Sequence, residues 1–114
     1  MTEQEVLAVI KRNIREQMNT YGYDIAGRTD QEALERFGSA CSSTALILIA
    51  ITGGYHQKTA RLYRFLEGMR ERGLLMKQSL SGGQCKWWPV GFADELRDTP
   101  DATPIAPYRA ETVR

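Results

Sequence analysis

The chain has 114 residues, 42% of them hydrophobic, and its 15 basic and 14 acidic side chains leave a net charge of +1. That length supports one compact core and excludes two independent ones, which rules out most multi-part enzymes. The longest strongly apolar run, Ala45 to Ile51, falls far short of the roughly 20 residues that a membrane-spanning helix needs. Thr2, Glu3 and Glu5 open the chain where an export signal would be basic, so a cytoplasmic protein without membrane attachment is expected. Two cysteines, Cys41 and Cys85, and a single histidine, His56, cannot supply the spaced ligands of a structural zinc site. Two reduced thiols are expected, with no metal and no other cofactor.

In chain order, Thr2 to about Thr20 predicts an amphipathic helix. Thr2 and Glu5 stand at capping-box spacing, and Val6, Leu7, Ile10, Ile14 and Met18 recur on one face. Tyr21, Gly22, Tyr23 and Gly27 interrupt the pattern as a loop. Thr29 and Glu32 then repeat the capping-box spacing before a short helix that stops near Gly38, with Leu34 and Phe37 facing inward. Residues 44–51 are apolar on nearly every side, which periodicity alone cannot assign to helix or strand. The flanks decide for a helix: Ser42 or Ser43 can cap its start, and Gly53-Gly54 can end it in a left-handed turn. Such a helix must be enclosed, by this domain or by a second copy of it.

From about Tyr55 or Gln57 to Arg72 the helical signal is strong. Leu62, Phe65, Leu66 and Met69 recur at steps of three and four, Gly73 follows as a stop, and Lys58, Arg61, Arg64 and Arg72 occupy the opposite face. Leu74 to Leu80 and Cys85 to Val90 read as two strands joined by Ser81-Gly82-Gly83-Gln84 in a hairpin, the second strand lying at an edge or ending at Pro89. Adjacent strand residues point to opposite faces, so one of Trp87 and Trp88 is expected in the core and the other as a partly covered surface or dimer contact; a structural role is expected for Trp87, and the role of Trp88 stays open. Pro100, Pro104 and Pro107 break a final stretch without an apolar period. The expected organisation is therefore one domain over residues 1–92 and a flexible tail over 93–114.

Charge is unevenly spread along the chain. Residues 1–54 carry 5 basic and 7 acidic side chains, residues 55–88 carry 7 and 2, and residues 89–114 carry 3 and 5, so the positive balance sits in the middle segment. DNA affinity depends on such local clusters rather than on the total.

Helix, glycine turn, second helix ending at a glycine, then hairpin: over residues 43–90 this order resembles the winged helix-turn-helix superfamily. Many bacterial regulators of that kind end the second helix with leucines, a short charged stretch and Gly-Leu-Leu; here Leu62, Leu66 and Met69 precede Arg70-Glu71-Arg72-Gly73-Leu74-Leu75. The segment is also similar to the small winged DNA-reading domain of bacterial chromosome translocases in Gly54-Tyr55, Ala60-Arg61-Leu62 and Glu67-Gly68-Met69, but its helix is about one turn longer, so that family's target and partners are not carried over. The resemblance implies a mainly α fold with a small β-hairpin wing (α+β), and a transcriptional regulator that reads double-stranded DNA with helix 55–72. On that reading Arg61 and Gln57 face base edges, because Arg pairs bidentately with guanine and Gln with adenine. Lys58, Arg64 and Tyr55 hold phosphates or the groove wall, and Gln84, Lys86 and Lys77 on the hairpin reach an adjacent groove or backbone. A homodimer is expected, since one recognition helix reads only a few base pairs.

No nucleophile with its base, no paired carboxylates and no phosphate loop stand at recognisable spacing, so an enzyme is not expected. His56 reads as a hydrogen-bonding surface residue at a helix start. The competing reading is a protein-interaction module, for instance a phage-type inhibitor of a host complex, built on the same fold without DNA binding. A DNA binder needs Lys58, Arg61 and Arg64 free and pointing one way, whereas an interaction module would centre on exposed aromatics such as Tyr55, Tyr63 or Trp88.

Overall fold

The computed structural model describes residues 2–22, 24–37, 43–53, 59–80, 82 and 84–98, which form five helices and one two-stranded antiparallel sheet. Helix α1 (Glu3–Tyr21) starts at a complete capping box: the Thr2 hydroxyl accepts from the Glu5 amide, and the Glu5 carboxylate accepts from the Thr2 amide. It buries Val6, Ile10, Ile14 and Met18 as one stripe and stops at Gly22, whose φ of 74° only glycine adopts cheaply. Helix α2 (Asp30–Arg36) repeats the device with Thr29 and Glu32, and Leu34 and Phe37 are buried as expected. Helix α3 (Thr44–Thr52) confirms the helical reading of the apolar run, with Ser43 capping the Leu46 amide and Gly53 closing it in the left-handed region.

Helix α4 (Ala60–Glu71) buries Leu62, Leu66 and Met69, and Gly73 turns the chain at its end with φ 81°. Its start differs from the expected one. Thr59 holds the cap position, three turns before Met69, and residues 54–58 lie outside the described residues. No helix among the described residues is long and apolar enough to cross a membrane.

Strands β1 (Leu75–Ser79) and β2 (Cys85–Pro89) pair antiparallel, with Met76 opposite Trp88 and Lys77 opposite Trp87. Ser43 adds a single antiparallel bridge to Lys86, which ties the start of α3 to the hairpin. Every residue of β2 is buried. The alternation of the strand sends Trp87 to one face, where its indole N–H donates to Thr44 Oγ1 at 2.8 Å and its ring meets Tyr63 of α4 edge-on. Trp88 goes to the other face, between Phe37 and a ring beyond the strand, Phe92. Trp88, 1% exposed, is thus core, as Trp87 is: helices cover both faces of this hairpin, so neither indole is the partly covered surface residue that alternation predicts for one of the pair.

The chain does not leave the domain after residue 92. Phe92–Asp98 forms helix α5, which buries Phe92, Ala93 and Leu96. Its anchor is Asp30 at the first turn of α2. One carboxylate oxygen accepts from Trp88 Nε1 and from the Ala93 amide, the other from the Gly91 amide, all at 2.8 Å. Asp30 therefore caps a helix more than sixty residues away in sequence while it fixes the Trp88 ring. Lys11 pairs with Glu95, Arg97 donates to the Arg28 carbonyl, and the Arg15 guanidinium lies over the Phe92 ring at 5.4 Å, which extends the same seam.

Asp30→Ala is expected to cost roughly 2–3 kcal/mol, because three donors lose a charged acceptor in a partly buried setting. Asp30→Asn should cost less, since the amide oxygen can still accept from Trp88 and Ala93 while its NH2 faces the Gly91 amide. Urea denaturation followed by tryptophan fluorescence reads both.

Candidate nucleic-acid interface

The seven basic side chains of residues 55–88 divide by environment. Arg61 and Arg64 stand on the exposed face of α4, one turn apart, and neither makes an ion pair or side-chain hydrogen bond among the described residues. Arg70 and Arg72, at the other end of the helix, are neutralised: Arg70 bonds Glu67 at 2.7 Å and Arg72 pairs with Glu3 at the start of α1. Lys77 pairs with Glu67, donates to the Tyr63 hydroxyl at 3.0 Å and lies over the Tyr63 and Trp87 rings. Lys86 is 5% exposed, and its ammonium donates to the Phe37 carbonyl at 2.8 Å. Tyr55, Gln57, Lys58 and His56 lie outside the described residues.

Two hairpin lysines are therefore placed differently from the sequence expectation. Lys86 shares a strand face with Trp88, so the alternation that buries the tryptophan carries the lysine inward with it. Lys77 shares the opposite face with Trp87, which lays its stem along α4 and brings its charge to Glu67. Gln84, where the hairpin turns, is exposed as expected.

A cleft of about 490 Å3 opens where the start of α3, the start of α4 and the hairpin turn meet. Thr44, Ala45, Thr59, Ala60, Arg64 and Gln84 line it, so Arg64 and Gln84, which are far apart in sequence, face one opening. Thr59 makes no side-chain capping bond to the first turn of α4, which is the positive end of the helix dipole. The part played by Thr59 was not anticipated; the signal for it is a capping-type residue directly ahead of Ala60-Arg61-Leu62. Cys85, a free thiol, is buried behind the cleft, and Cys41 is outside the described residues.

Glu67 holds the far end of α4 to the hairpin. Hydrogen bonds from Arg70 and then Lys77 stabilise its carboxylate and bring its pKa down from an ordinary 4.5 to about 2. The same bonds raise the Lys77 and Arg70 pKa values, with Glu67 the first cause in each. Comparison with protein-family models, curated proteins and solved structures finds no match for this chain.

Because the folded carboxylate titrates below its ordinary value, its stabilising effect is complete above about pH 4.5 and disappears as the pH falls toward 2. Glu67→Gln is expected to lower the urea midpoint at neutral pH, and the gap between variant and wild type should close progressively from pH 4.5 downward. A gap of constant size across that range would deny Glu67 this role.

Proposed function

We propose that this chain is a DNA-binding protein of the winged helix-turn-helix type, acting as a transcriptional regulator, with α4 as its recognition helix. The observation that carries the reading is the sorting of charge. Of the described basic side chains in the middle segment, those at the end of α4 nearest the cleft are exposed and unpaired, while the others are spent on Glu67, on Glu3 or inside the fold. An unpaired guanidinium can release counterions from a phosphate backbone; one already bound to a carboxylate contributes little.

The element order supports the same reading: α3, a left-handed Gly53, α4, Gly73 and the hairpin follow one another as in a winged helix-turn-helix, and the Ser43–Lys86 bridge holds brace and hairpin together. In this account Arg61 takes the base-reading place, bidentate to guanine O6 and N7. Arg64 and the first turn of α4 hold phosphate, Gln84 touches the backbone from the hairpin turn, and Tyr55, Gln57 and Lys58 belong to the same contact set. Lys77 and Lys86 drop out of the contact set and act as structural residues. Two copies reading a spaced site would supply the specificity that one helix lacks.

The interaction-module reading is weakened by the aromatics it would need. Trp88 is buried, and Tyr63 is half-buried with its ring against Trp87 and its hydroxyl on Lys77.

Fluorescence anisotropy with mixed duplex fragments across a salt series tests the proposal. Wild type should bind with a steep salt dependence, and Arg61→Ala with Arg64→Ala should weaken binding more than about tenfold, with the salt slope reduced by about one for the phosphate contact of Arg64 and sequence preference relaxed by the loss of Arg61. Absence of binding at low salt by the folded wild type would sink the DNA reading.

A further inference from the structure

Helix α3 is apolar along its whole length between two terminal threonines, yet only Ile47 is fully buried. Leu48 and Ile51 pack partly against the core, while Leu46, Ile49 and Ala50, at helical steps of three and four, remain half-exposed outside it. Beside them a groove of about 570 Å3 runs between α1 and α3, with Ala8, Val9, Ala50 and Ile51 along it and Glu5 and Arg12 at its two ends. Arg12 is exposed and has no ion-pair or hydrogen-bond partner among the described residues.

We propose that this groove seats a second copy of the chain, docked antiparallel along α1 about a two-fold axis passing between Ala8 and Val9. The spacing of the charges carries the argument. Glu5 and Arg12 lie seven residues apart on one stripe, two helical turns or about 10.5 Å, with Ala8 and Val9 between them. A two-fold axis through the midpoint superposes the stripe on itself end for end, so each Glu5 meets the partner's Arg12 and each Arg12 the partner's Glu5. A parallel arrangement would set Glu5 on Glu5 and Arg12 on Arg12. The Thr2 amide bonds Glu5 Oε1, and a carboxylate has further acceptor sites, so capping and pairing are compatible. Ala8 is small and exposed at the axis, which lets the two helices approach closely, and the exposed face of α3 is covered by the same docking. This deepens the two-copy part of the functional reading and stands apart from its DNA part.

Sedimentation equilibrium of the full chain without DNA is the test. Wild type should show the mass of two chains at micromolar concentration. Ala8→Glu keeps a good helix former at an exposed site but sets two like charges together at the axis, and it should raise the dimer dissociation constant by at least about tenfold. Arg12→Glu should act likewise, by facing the partner's Glu5 twice, and adding Glu5→Gln, which retains a capping-box side chain, should recover part of the loss. Circular dichroism establishes that each variant is folded. A monomeric wild type, or a dimer whose dissociation neither Ala8→Glu nor Arg12→Glu alters, would overturn the proposal. Anisotropy on the same samples keeps the two ideas separate: a wild-type monomer that binds DNA overturns only the dimer, and a dimer sensitive to these variants that ignores DNA supports it while the DNA reading fails.

Discussion

Two adjacent indoles on β2 organise everything around them. A two-stranded hairpin is marginal on its own, and here it becomes the middle layer of the domain because each face of β2 carries one tryptophan into a different group of helices. Trp87 meets α3 and α4, with its N–H on Thr44 and its ring on Tyr63. Trp88 meets α2 and α5, with its N–H on Asp30 and its ring between Phe37 and Phe92. Burying a large ring stabilises a core only if its polar edge is satisfied, and both edges are. The helix proposed to read DNA is therefore braced from behind by a ring whose own position depends on the opposite, Trp88-facing half of the domain.

The electrostatics follow from the same layering. The hairpin presents Lys77 to the C-terminal half of α4, where Glu67 gathers it together with Arg70, and Arg72 is taken by Glu3 across the start of α1. One end of α4 is thus fastened by ion pairs to its surroundings. At the other end, Arg61 and Arg64 are exposed and have no ion-pair partner among the described residues. A net charge of +1 for the chain conceals this division, which belongs to position and not to composition.

Features whose causes are local were legible in the sequence. The capping boxes of α1 and α2, the Ser43 cap and Gly53 stop of α3, the apolar stripe of α4 and the hairpin all depend on residues within a few positions of one another. What escaped was set at a distance. Phe92–Asp98 is a short, largely polar segment after a proline and a glycine, and its helical state rests on Asp30, which no local pattern connects to it. Burial of both tryptophans required knowing that α2 and α5 cover the second face. A lysine on a hairpin is normally solvated, which makes Lys86 look like a wing charge; two positions on, Trp88 is 1% exposed, and Lys86 goes under with it on the strand face that the two share. Of the expected contact residues, Arg61, Arg64 and Gln84 are exposed, and Arg64 and Gln84 share a cleft that their separation in sequence does not suggest.

Paired tryptophans also create a problem that the strand solves by other means. Sliding β2 by one residue against β1 would turn every side chain over, yet it would again put one indole on each face, so the aromatic pair by itself does not choose between the two alignments. Lys86 does. In the observed pairing it stands opposite Gln78 and reaches the Phe37 carbonyl. Slipped one way, it would lie directly across from Lys77, two ammonium groups facing each other on neighbouring strands. Slipped either way, its charge would leave the Phe37 carbonyl for the face that Tyr63 of α4 covers. A buried lysine that contributes nothing to an outer surface thus acts as an index mark, rejecting the near-degenerate misfold that its own aromatic neighbours would tolerate.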